Sequence, residues 1–321
     1  MFHATFETIF VSFVSFFQVI VLALQHLYML LFYNDIIDAL GAKKEVYSYT
    51  LPEEPEVNHR ANIYKMGNSA SKNVIVLLSG SFTLSFDTYI QKSAKHLLQD
   101  PYIAHDHLLI VYEKRDKQSF IVSPDVANYI TYLNEEIEIS ELTLIGYSCG
   151  GVIASHVMSA LKELKCKKKI ITYDAPYQVM DNALTFETHT FFRLDYFFYA
   201  TVYNVYLNHY NYNDIKQHLN SGRWCGGSRD ILNMCYAVHN YSEEKYRALM
   251  GFNFDQDERT KIFEIYCEYD PVVDRGISDN YIKQHSKEDR VIKISKKIIG
   301  HCSDMWSPHY NIDDILNCLS E

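Results

Sequence analysis

Four continuous apolar runs constrain this chain more than any other feature of its sequence: "NVIVLLSG" (73–80), "HLLIVYEK" (107–114), "ELTLIG" (141–146) and "KKIITYDA" (168–175). A strand with one wet face alternates apolar and polar residues, whereas unbroken runs belong to strands covered on both faces. Between the runs lie stretches with helical spacing, Phe86 to Leu98, Pro124 to Glu136 and Gly150 to Leu164. Buried strands alternating with helices predict a parallel sheet with right-handed crossovers. Upstream, "EVYSYTLPE" and "NHRANIYKMG" alternate in polarity around turn-forming residues and read as two antiparallel strands.

The alternation lapses from about residue 178 to 257, where the pattern is aromatic and helical. Tyr199, Tyr203, Tyr206 and Tyr210 recur there at i, i+4, i+7 and i+11, a stripe that reads first as packing. An insertion at that point sits over the carboxyl edge of a parallel sheet, the edge at which such sheets bind ligands. The strand pattern returns with "KIFEIYCEYD" (261–270) and "RVIKIS" (290–295), separated by a helical stretch from about Ser278 to His285. A last helix is expected from about Asn311 to Leu319.

The N-terminus differs in kind. No charged residue occurs from Thr8 to Asn34, a span longer than the roughly 20 apolar residues a membrane-crossing helix needs. Neither a basic flank before it nor a small-residue cleavage site after it marks a signal peptide. Residues 1–44 therefore read as a membrane-associating segment, with residues 8–34 a hydrophobic helix that either spans the bilayer or lies in its interface, and residues 45–321 as the globular α/β unit. Lys43 and Lys44, the nearest basic residues, favour keeping that unit on the cytosolic side. Seven cysteines without C-x-x-C spacing suit a reducing compartment.

A net charge of −10 argues against nucleic acid as a partner. The local run Lys162, Lys165, Lys167, Lys168 and Lys169 reads as a solvated helix C-terminus. No P-loop, G-x-G-x-x-G or H-E-x-x-H occurs. His105 and His107 could share one side of a strand, but they lack a third ligand, so neither cofactor nor metal is expected.

Chemistry concentrates in Gly146-Tyr147-Ser148-Cys149-Gly150, which places three of the chain's 12 glycines, with Gly151, within six residues. This is G-x-S-x-G between a strand and a helix, where a nucleophile on a tight turn needs neighbours without side chains. A serine hydroxyl also needs a base and an orienting carboxylate, in chain order serine, acid, histidine. Asp270 follows the strand 261–268, with Glu268 and Asp274 as rival acids. His301 follows the last strand, with His285 and His309 as rivals. An oxyanion would be held by the backbone N–H groups of Cys149 and of Ser81, in the loop after "VIVLLSG".

"LTLIGYSCGG", "VIVLLSGSF", "CEYDPVVD" and "IIGHC" together resemble the nucleophile elbow, oxyanion loop, acid turn and histidine loop of the α/β-hydrolase superfamily, from about residue 45 to the C-terminus. The resemblance implies a mostly parallel eight-stranded sheet flanked by helices, a helical cap at about 178–257, and hydrolysis through a covalent serine intermediate. Ser79 stands where the family often has histidine, and Tyr147 departs from its commoner residues, so the subfamily stays open. The expected activity is a serine hydrolase cleaving carboxylic esters with a lipid-like acyl chain, a small-molecule or lipid ester being the substrate. A non-catalytic membrane-bound scaffold and an acyltransferase with the same triad are the alternatives.

Overall fold

The computed structural model describes residues 40–51, 54–80, 88–113, 123–179, 181, 247–270, 273–287, 289–299, 302 and 312–321. The expected hydrophobic helix at 8–34 lies outside them. Eight strands form one sheet in the order β1-β2-β4-β3-β5-β6-β7-β8. Their ranges are β1 Lys43–Leu51, β2 Glu54–Gly67, β3 Asn73–Leu78, β4 Leu108–Glu113, β5 Glu141–Tyr147, β6 Lys167–Tyr173, β7 Lys261–Tyr269 and β8 Val291–Ile299. β1 pairs antiparallel with β2, and β2 with β4; every other pairing is parallel. Among the described residues the helices are α1 (Thr88–Gln99), α2 (Pro101–Asp106), α3 (Ser123–Ile137), α4 (Cys149–Ala160), α5 (Arg275–His285) and α6 (Asp313–Ser320).

Successive side chains of a strand point to opposite faces, so each buried strand feeds two cores. On β3, Val74, Val76 and Leu78 join α3 and α4 through Val126, Ile130, Ile153 and Val157. Ile75 and Leu77 join α1, α2 and α6 through Ile90, Leu97, Ile103 and Ile315. The same division runs through β4, β5, β6 and β7. A helix layer on each face leaves no wet side, which is why these strands read as unbroken apolar runs. The edge strand β8 is different: Lys293 and Lys296 meet Asp279 and Asp314 at 2.6 and 3.1 Å. Charge along an edge discourages pairing with another chain.

Three expectations fail locally. The helix after Ser148 stops at Ala160 rather than Leu164, and the lysine run is not one solvated helix end. Lys168 and Lys169 lie in β6 and are buried, while Lys162, Lys165 and Lys167, the first residue of β6, are exposed. Lys169 pairs with Glu141 at 3.0 Å and donates to the Leu319 carbonyl; Lys168 donates to the Lys162 carbonyl at 2.6 Å. Their long stems lie in the core and deliver the ammonium groups to acceptors at its rim. The third concerns the paired histidines, which could have shared one side of a strand. Asp100 caps a short extra helix, α2, by accepting from the Ile103 N–H. That helix leaves His105 exposed at its end and His107 buried before β4, so the two imidazoles do not share a strand face. No metal-binding group of side chains occurs among the described residues.

At the expected insertion the chain departs and returns as a paired stem. Phe252 N–H donates to the Tyr177 carbonyl at 2.8 Å and Val179 N–H to the Met250 carbonyl at 3.1 Å. Tyr177 and Phe252 stack with centroids 4.6 Å apart. Residues 182–246, the tyrosine stripe included, lie outside the described residues. His156 of α4 fastens the stem, its Nε2 lying 2.9 Å from the Gly251 carbonyl. Burial holds this imidazole below its ordinary 6.5, against the opposing pull of backbone hydrogen bonds.

β7 carries a charge into the core. Glu264 is fully buried, and its Oε1 meets the Arg275 guanidinium at 2.6 Å. Arg275 also lies over the Tyr266 ring at 3.7 Å.

Two stability predictions follow from these contacts. Arg275→Met strands the Glu264 carboxylate and should cost about 3–5 kcal/mol in urea unfolding; a loss under 1 kcal/mol would mean that the pair is not holding β7 to α5. For His156, an unfolded chain takes up a proton near pH 6.5 that the folded chain resists, so stability falls as the pH drops below that value. His156→Gln keeps a donor for Gly251 but cannot titrate. Its urea midpoint should therefore drop less than the wild type's between pH 7.5 and 5.5.

Candidate active site

Every parallel strand ends on the same edge of the sheet, and Ser148, Cys149 and Asp270 sit there. β4 lies on one side of β3 and β5 on the other, so the connections diverge between β3 and β5, where a crevice opens in sheets of this kind. Gly80 follows β3 and Ser148 follows β5.

Ser148 joins β5 directly to α4 with φ 50 and ψ −129. A non-glycine residue with positive φ is strained by about 1–3 kcal/mol and persists only where its surroundings enforce it. Here the enforcement can be read off the backbone. The Ser148 N–H donates to the Tyr173 carbonyl at the end of β6, at 2.8 Å, and its carbonyl accepts from the Gly151 N–H at 3.0 Å. A Cβ on Gly146 would lie 2.4 Å from the Gly150 carbonyl oxygen, so the turn closes only without one. A Cβ on Gly80 would lie 2.9 Å from the Ser148 Cβ and 3.5 Å from its Oγ. The backbone at Gly80 therefore passes against the serine. Ser148 stays partly exposed, while Tyr147 is buried with its hydroxyl paired to Ser93.

Cys149 is the first residue of α4 and buried. Its N–H stands at the positive end of a helix, beside the hydroxyl-bearing residue, where negative charge is stabilised. Asp270 immediately follows β7 and is half-buried; its Oδ1 accepts from the Val273 N–H at 3.0 Å. It thus accepts a turn-type hydrogen bond from three residues on as well as standing at the carboxyl edge of the sheet. Ser81 and His301 lie outside the described residues, as does the rival His309.

The remaining rivals separate by position. Asp274 caps α5, accepting from Gly276 and Ile277. His285 ends α5, exposed, its Nδ1 2.9 Å from the Tyr281 carbonyl. Because α5 runs back from the end of β7 toward the start of β8, His285 belongs to the opposite edge from Ser148. Glu268 is a residue of β7 itself.

One residue at this edge escaped the sequence reading. Asp174, directly after β6, is buried with φ 46. Its Oδ1 accepts from the Cys267 N–H and its Oδ2 from the Cys302 N–H, each at 2.6 Å. The available signal was its place in "TYDAP", an acid at the carboxyl end of a strand predicted to be parallel.

No family model matches the sequence, and no curated protein matches it. Solved structures do match. An esterase of Pyrococcus furiosus superposes in one crystal form with a TM-score of 0.53 at 14% identity, over 88% of this chain and 92% of the esterase. In a second form the TM-score is 0.52 at 12% identity, over 88% and 92%. The chain has the α/β-hydrolase fold expected from its motifs.

Gly146→Ala tests the turn. The added methyl meets backbone that cannot retreat, and the substitution should destabilise by at least about 3 kcal/mol, the upper range for overpacking. A urea midpoint equal to that of the wild type would show that the turn has slack.

Proposed function

We propose that this chain is a serine hydrolase that cleaves carboxylic esters through an acyl-enzyme on Ser148. The observation that carries the reading is the backbone of Ser148, held at φ 50 and ψ −129 in a residue that is partly exposed and has Gly80 packed against it. Strain of this kind, kept at a hydroxyl between a strand and a helix N-terminus, serves a nucleophile and has no value for packing.

In this reading Ser148 Oγ attacks the acyl carbonyl while His301 takes its proton, and Asp270 orients the imidazole. The Cys149 and Ser81 N–H groups hold the developing oxyanion. The ester C–O bond then breaks and the alcohol leaves with the proton from His301; water, giving its proton to His301, attacks the acyl-enzyme and releases the acid as the proton returns to Ser148 Oγ. His301 and Ser81 enter on chain order and motif; Ser148, Cys149 and Asp270 enter on motif and on their shared edge.

A lipid-like acyl group is part of the proposal and rests on the apolar residues 8–34 and the aromatic insertion. Attachment to a membrane through residues 8–34, with the catalytic unit on the cytosolic side, has the same footing. No helix among the described residues is long and apolar enough to cross a membrane.

A fluorophosphonate probe reports nucleophile activation without a chosen substrate. Wild type should label and Ser148→Ala should not; equal labelling of both would sink the assignment, and labelling of neither would favour the scaffold reading. Among nitrophenyl esters, turnover should rise from acetyl to dodecanoyl. A monotonic fall would remove the lipid-like part and leave the esterase.

A further inference from the structure

Five non-glycine residues with positive φ occur among the described residues, and three of them, Ser148, Asp174 and Cys302, follow β5, β6 and β8 at one edge of the sheet. They are also bonded into one cluster. The Tyr173 carbonyl accepts from the Ser148 N–H at 2.8 Å and lies 3.9 Å from the Cys302 Sγ. The next residue, Asp174, donates its N–H to the Ile265 carbonyl of β7 at 2.9 Å. Its carboxylate then grips two other segments, through the Cys267 N–H on Oδ1 and the Cys302 N–H on Oδ2, both at 2.6 Å.

We propose that Asp174 is a positioning residue for the proposed reaction: its carboxylate fixes the chain on either side of the acid and base positions to the strand that holds the nucleophile's backbone. Cys267 lies three residues before Asp270, and Cys302 is the residue after His301. The proposal rests on the reading of Ser148, Asp270 and His301 given above.

Three physical points carry it. A buried carboxylate is tolerated only when its oxygens are satisfied, and two short charge-assisted bonds from backbone N–H groups do this. Neither bond belongs to a helix or to a strand ladder. The carboxylate therefore substitutes for a sheet hydrogen bond where β6 has ended and the loops have begun. Finally, Cys302 is held at φ 49 and buried. A strained non-glycine residue persists only where its surroundings enforce it, and the Asp174 carboxylate on the Cys302 N–H is one such constraint.

Asp174→Asn is the discriminating variant. Asparagine tolerates the left-handed backbone as aspartate does, and it matches the shape. One acceptor becomes an NH2 group, however, and faces an N–H donor, so one of the two segments is released. A displacement of about 1 Å at a catalytic group costs on the order of 100-fold in rate. With a nitrophenyl ester, kcat of Asp174→Asn should fall about 100-fold while KM stays within about threefold, and the fluorophosphonate labelling rate should fall with kcat. A merely structural role would lower the melting temperature and leave kcat of the folded fraction unchanged.

The two readings fail differently. If wild type does not label, the nucleophile assignment is lost and the positioning role with it. If wild type labels, Ser148→Ala does not, and Asp174→Asn matches wild type in kcat and labelling, only the positioning role is overturned. Should Asp174→Asn fail to fold, wild-type protein with 15N-labelled cysteine still decides. The Cys302 amide should be as protected from hydrogen exchange as the Cys267 amide of β7. Exchange at the rate of an exposed loop overturns the proposal.

Discussion

The carboxyl edge of this sheet is organised around a backbone that cannot relax. Ser148 sits at φ 50 and ψ −129 between the last residue of β5 and the first of α4, a conformation that costs about 1–3 kcal/mol in isolation. It is enforced from three directions: a hydrogen bond to the end of β6, the crossing of Gly146 and Gly150, and the loop at Gly80 pressed against its Cβ. Each contact requires a different strand to be in register. The turn is therefore a consequence of the whole sheet, and the sheet in turn must be buried on both faces to persist.

The energetic foundation is accordingly the double core. β3, β5 and β6 alternate their side chains between the α3/α4 layer and the α1/α2/α6 layer, so no strand can slip by one residue without exchanging its two environments. Register set this firmly places strand ends to within a fraction of a residue. The carboxyl ends of β3, β5, β6 and β7 then deliver Gly80, Ser148, Asp174 and Asp270 to one edge with no long-range polar design. Polar contacts act afterwards, over short range, to lock loops that the hydrophobic core does not reach.

Those polar locks are where sequence reading was weakest. The strands were legible because covering a strand on both faces leaves a run of apolar residues with nothing else to mean. The serine turn was legible because glycine spacing records a steric requirement locally. Lys168 and Lys169 misled because a charged letter in a sequence normally marks solvent, and their burial depends on partners brought near by the fold: Glu141 and the Leu319 carbonyl for Lys169, the Lys162 carbonyl for Lys168. Asp174 was passed over for the same reason. Its meaning lies in the N–H groups of Cys267 and Cys302, 93 and 128 residues away. Among the rival acids and bases, Asp274 and His285 were separated by helix capping and by the direction of α5, which no local pattern encodes.

The sequence alone determined the class of fold, the order of the strands along the chain, and the one serine that a tight turn would present. These are set by nearest neighbours: hydrophobic period and the absence of a Cβ act within a few residues. Tertiary structure alone decided which charges are buried, which histidines face away from the serine, and which carboxylate holds the loops at the carboxyl edge together. Those outcomes depend on groups brought near one another only when the sheet closes, and a chain's order of residues carries that proximity only through the folding that creates it.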